Sequence, residues 1–157
     1  MGETATDSEM TPEAVEIWFK IEKDAEGYSE SQDWEELWAT PVKGGGFRLD
    51  STPFFVKDIA AGDVVSAVKT EEGLYRFENV ISRSGNSNFR IWLHDAVAHD
   101  NVKIVEALRE FGCHAEITLE RLIAIDAPPD RENEVWEYLD AGRDRDDWGL
   151  QVGFSPD

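Results

Sequence analysis

Positive charge is scarce in this chain. Fifteen lysines and arginines stand against 34 aspartates and glutamates, a formal net charge of −19. Binding to DNA or RNA phosphates needs a basic face, as does attachment to an anionic lipid surface, so this balance argues against both. Cysteine is scarcer: Cys113 is alone, and no intrachain disulfide can form. No apolar run approaches the length of a membrane span. The start, MGETATDSEMTPE, lacks the basic and apolar regions of a secretory signal. Met-Gly with Thr6 fits the loose acylation pattern, but no basic patch accompanies it. Residues 1–13 read as a disordered acidic leader, and the protein as cytoplasmic. No nucleophile elbow, Walker loop or metalloprotease helix occurs. No internal repeat relates the two halves.

What is present suits a packed core: 41% hydrophobic residues, with six Trp and eight Phe. The acid excess has three readings. It is a solvated surface of the kind a salt-adapted host uses, an attraction for a basic protein partner, or a site for a metal or cationic ligand.

Ala14 to Lys23 alternates, with Val15, Ile17, Phe19 and Ile21 on one side, and predicts a half-buried strand. Asp24 to Asp33 reads as a loop and Trp34 to Val42 as a strand. The triple glycine Gly44–Gly46 then turns into a strand over Phe47 to Asp50. It lacks the following helix that a phosphate cradle requires. Pro53 holds Thr52 extended, Phe54, Phe55 and Val56 read as core, and Ile59 to Asp63 as a tight turn. Strands over Val64–Val68 and Leu74–Ser82 flank a turn at Glu71–Gly73, and Arg83–Ser87 reads as a hairpin loop. Short strands at this spacing predict a small curled sheet or barrel-like half, residues 14–86.

After Asn88 the period changes. Phe89, Ile91 and Leu93 alternate with Arg90, Trp92 and His94 as a strand. Asp100 is a candidate N-cap for a helix carrying Val102, Val105, Leu108 and Phe111, stopped by Gly112. Two short strands follow over His114–Thr118 and Arg121–Asp126. Pro128–Asp130 opens a second helix with Val135, Trp136 and Leu139 on one face and Gly142 as its end. Trp148 to Phe154 closes as a strand. The order β-α-β-β-α-β predicts a ferredoxin-like half over 87–157. The fold class is α+β, the two halves forming one compact unit.

Chemistry-bearing residues are sparse. His94-Asp95, His99-Asp100 and Cys113-His114 match no zinc spacing, and no metal or cofactor is implied. Cys113 reads as a small buried residue. The pairs Glu35-Glu36 and Glu71-Glu72, and the run Gly142–Asp147, read as solvated loop charge. The candidate binding residues are Asp63 in its turn, Ser84, Gly85, Asn86 and Ser87 in their loop, and Trp92. Trp18 and Trp92 fall on the polar faces of their strands. Either a second layer covers them or they serve a partner, and cover by the other half is the simpler reading.

The segments LWATPV, FRLDSTPFFVKDIAAGDVVSA, SRSGNSNFRIWL, the Gly-Cys after the first helix and LIAIDAPP resemble a family of small bacterial proteins, domain of unknown function 4265. The resemblance spans Val15 to Phe154. It implies a single-unit cytosolic bacterial protein and no particular reaction. It would carry over Pro53, Phe54, Phe55, Gly62, Asp63 and Ser84–Ser87 as a shared site or shared turns. Three functions compete. The first is an acidic binding or regulatory protein, such as an immunity-like inhibitor of a basic partner. The second is a small-molecule-sensing module. The third is a hydrolase using Asp63 or His94, ranked last because no nucleophile-base pair is readable.

Overall fold

The computed structural model describes residues 13–22 and 33–156. The acidic leader, and the loop expected at Asp24–Asp33 except for Asp33 itself, lie outside the described residues.

Five strands close into a barrel: β1 (Val15–Lys20), β2 (Trp34–Pro41), β3 (Phe47–Leu49), β4 (Val64–Lys69) and β5 (Tyr75–Ser82). Successive strands pair antiparallel, and β5 closes on β1 in parallel, Ile17 opposite Tyr75. The period-two pattern of β1 points Ile17 and Phe19 inward, where Leu37, Ala39, Leu49 and Val65 meet them. The long connection from β3 to β4 closes this core with Val56 and Ile59. Phe54 and Phe55, expected as core, are half-buried instead. Phe55 still packs against this core.

That carboxylate is the main surprise of the barrel. Glu35 lies in β2, not in a solvated loop, and its side chain accepts the amides of Phe54 (2.8 Å), Phe55 (3.0 Å) and Val56 (2.9 Å). Three successive N–H groups form an anion-binding concavity, filled by the chain's own carboxylate.

The second half is an antiparallel four-stranded sheet, ordered β7 (His114–Thr118), β8 (Leu122–Ala127), β6 (Ser87–Leu93), β9 (Trp148–Phe154). Helices α1 (Asn101–Glu110) and α2 (Glu132–Asp144) cover one face, packing Ile104, Leu108, Val135 and Leu139 on Phe89, Ile91, Ile123 and Ile125. All six residues of β8 are buried. A central strand with both faces covered reads as an unbroken apolar run rather than an alternation.

Several expectations need correction. Val102 is exposed, because α1 turns Ile104, Val105 and Leu108 to the sheet. Asp100 makes no capping hydrogen bond and lies beside His99. Gly142 lies inside α2 rather than ending it, because the Trp148 ring presses where its Cβ would be. Arg83–Ser87 is not a hairpin loop: β5 and β6 are unpaired, and the segment carries the chain from barrel to sheet.

The sheet face opposite the helices packs on the β3–β4 connection. Arg90 is fully buried there, its guanidinium donating to Val56 O and to Gln151 Oε1 (3.0 Å). Asn88 Nδ2 donates to Pro53 O (3.2 Å), and Asp58 N to Gly153 O (2.8 Å). The alternation in β6 therefore marks two different covers, apolar helices and a polar backbone, rather than core and solvent.

Candidate functional site

The Asp63 turn and the Ser84–Ser87 segment meet. Asp63 is fully buried, and its carboxylate accepts Ala60 N (3.0 Å), Ser84 N (2.8 Å) and Arg83 Nη1 (3.1 Å). Ser84 Oγ and Asn86 Nδ2 both donate to Ala61 O at 2.9 Å. Gly62, at φ +88°, lets the chains approach: a Cβ there would lie 2.8 Å from Ser84 Cβ. Gly85, at φ +94°, sits against Pro129. Ser87 Oγ donates to Glu132 Oε2 (2.6 Å), tying β6 to the start of α2. Of the six candidates only Trp92 lies elsewhere, toward the far end of β6, with the Arg121 guanidinium over its ring.

Beside this junction opens a cleft of about 250 Å³, lined by Ala61, Gly62, Asn86, Gly112, His114, Asp126 and Pro128. Asp126 was not singled out by the sequence, where it is the one polar residue of an apolar strand. It stands opposite His114 across β7 and β8, so the two side chains share a face. Asp126 is 3% exposed; Oδ1 accepts Asn88 Nδ2 (3.2 Å), and Oδ2 has no hydrogen-bond partner among the described residues. Burial pushes its carboxyl up to about 7, against the opposing pull of Asn88, Thr52, the Ala61 amide and Arg90. Of these, Thr52 and Ala61 act as nearby dipoles rather than bonded donors. Thr52 Oγ1, itself buried, lies 3.3 Å from His114 Nδ1. Neighbouring Cys113 is buried, and burial together with the Asp126 charge pushes its thiol up to about 12, so it is no thiolate nucleophile at neutral pH.

The three histidines do not converge. His94 contacts Asp146 and His99 contacts Asp100, both beyond the end of β6 that faces away from the cleft. Asp63 is enclosed by its own donors. Neither residue named for hydrolysis, Asp63 or His94, lines the cleft. Among the described residues no three metal-ligating side chains cluster, and no helix is long and apolar enough to cross a membrane.

A second feature lies on the outside of the barrel. Trp18 in β1 and Trp34 and Trp38 in β2 point away from its core, interleaved with Glu16 and Glu36. Trp18 and Trp34 meet edge to face at 6.5 Å. With Leu74, Arg76, Glu71 and Glu72 they line a groove of about 430 Å³. The β3–β4 connection covers part of the β6 polar face, but the outer side of β1 keeps its aromatic surface.

No protein of curated function matches the chain. A solved structure described as a novel crystal structure of a hypothetical protein from Neisseria gonorrhoeae is similar. It has 20% identity and a TM-score of 0.72, over 91% of this chain and 98% of that one. At that identity the likeness concerns the fold. A family model, Domain of unknown function (DUF4265), matches residues 35–150, a stretch that holds the whole Asp126 cleft. The chain belongs to the DUF4265 family.

Proposed function

We propose that this is a small acidic cytosolic binding or regulatory protein that docks a basic protein partner, in the manner of an immunity-like inhibitor. One observation carries the reading: half of the six tryptophans stand on one outer face of the barrel among glutamates. Trp38 there is 49% exposed. Tryptophan supplies most of its binding energy when such a face is covered. The net charge of −19 steers a basic partner toward it. Cations already use this surface: Lys20 Nζ and the Arg76 guanidinium lie 5.3 and 5.2 Å from the Trp34 ring centre. A partner's arginine stacks on Trp18 in the same way, with Glu71 and Glu72 beside it.

The test is a titration of intrinsic tryptophan fluorescence with a synthetic Arg- and Leu-rich peptide. The wild type is expected to bind saturably and to weaken at least about tenfold at high salt. Trp18→Ala with Trp34→Ala is expected to abolish binding. Equal binding by the double variant overturns the reading, since bulk charge then suffices. Self-association that the same variant removes also overturns it, by making the face a contact between copies.

A second reading, a small-molecule-sensing module, is favoured by the cleft beside Asn86. The strand order β9-β6-β8-β7 with two helices on one face supports a ferredoxin-like half. The link from that topology to ligand sensing is analogy between folds.

A further inference from the structure

We propose that the cleft between barrel and sheet is a binding site for a small primary amine in its ammonium form, seated on the Asp126 carboxylate. The inference deepens the small-molecule reading and is independent of the tryptophan face.

Asp126 lines this cleft nine-tenths buried, and its Oδ2 has no hydrogen-bond partner among the described residues. Leaving such an acceptor unpaired is costly, and a ligand that supplies the donor removes that cost. A second polar group of the wall is also turned to accept. Asn86 commits its Nδ2 to Ala61 O, which leaves its amide oxygen. His114 Nδ1 pairs with the Thr52 hydroxyl, and the imidazole tautomer sets whether its Nε2 donates or accepts. An ammonium group has three N–H donors and no acceptor, and so matches a carboxylate with a neutral amide oxygen beside it. Among the described residues no lysine or arginine lines the cleft to occupy that place.

Other ligand classes fit less well. A divalent metal needs more carboxylate and carbonyl ligands, and no three metal-ligating side chains cluster among the described residues. An anion would face Asp126. The volume of about 250 Å³ is below that of a drug-sized site, and Ala61, Gly62, Gly112 and Pro128 offer aliphatic contact. A short alkyl chain on the ammonium fills that space.

The experiment follows the Asp126 carboxyl carbon by NMR across a pH series of the full chain. Butylammonium chloride, 1-butanol and sodium butyrate are added in parallel. An amine that binds the ionised carboxylate lowers its titration midpoint, by about one pH unit at a tenfold excess over the dissociation constant. The expected result is that fall with butylammonium alone. Loss of the amine-induced shifts at Asn86 and His114 in Asp126→Asn is also expected. A midpoint that butylammonium leaves unmoved overturns the proposal, and needs no variant to fold. If butanol or butyrate shifts the cleft signals as strongly, the ammonium assignment fails while small-molecule binding stands. If none of the three does, both fail.

Discussion

Asp126→Asn should stabilise this protein, and only above a definite pH. The wild-type carboxyl is raised from 3.8 to about 7 in the fold by burial. Between those values the native state holds a proton that the unfolded chain releases. Native protein then binds more protons than unfolded, and stability falls as pH rises through the window, levelling off above about 7. A shift of about three units corresponds to roughly 4 kcal/mol at 1.36 kcal/mol per unit, an upper bound because the open cleft lets water reach the group. Asparagine is neutral at every pH and keeps an oxygen to accept Asn88 Nδ2. The assay is urea unfolding of both proteins across a pH series at constant ionic strength. Taking the difference between them removes the titration of the other acids. Near the acid end the two should be about equally stable. The variant should gain through the window, reaching a few kcal/mol at about pH 8. A difference that does not change with pH, or a wild type more stable at the alkaline end, would refute the reasoning.

Two further outcomes follow from the packing. Glu35→Gln leaves one acceptor for three converging amides and sets an NH2 group against them, so it should cost about 2 kcal/mol by urea unfolding. Gly142→Ala drives a methyl into the Trp148 ring, which is held by its Nε1 bond to Leu139 O (2.9 Å). The loss expected is about 2–3 kcal/mol with a changed near-ultraviolet tryptophan signal, although alanine is the better helix former.

Most single elements could be read locally, since a strand's alternation or a helix's apolar stripe needs only a few neighbouring residues. Val15–Lys20 and Ser87–Leu93 are such strands, and Pro128-Pro129 such a helix start. The meeting of the Asp63 turn with the Ser84–Ser87 segment was a question the sequence could pose but not answer. Its answer depends on Ser84 and Asn86 reaching Ala61 across more than twenty residues. Glu35 and Asp126 were illegible for a different reason. One acid among 34 carries no local mark, and what distinguishes each is which distant groups surround it.

The amino-acid sequence by itself determined the strand and helix order, the acid excess and the family. These follow from composition, short-range periodicity and motif, none of which needs a third dimension. Tertiary structure decided that β5 closes on β1, that Arg90 faces a buried backbone, and that one apolar-looking strand holds, at a cleft, a carboxylate with one oxygen unpartnered among the described residues. Burial and hydrogen-bond satisfaction are properties of the packed whole, so the site became visible only when both halves were in place.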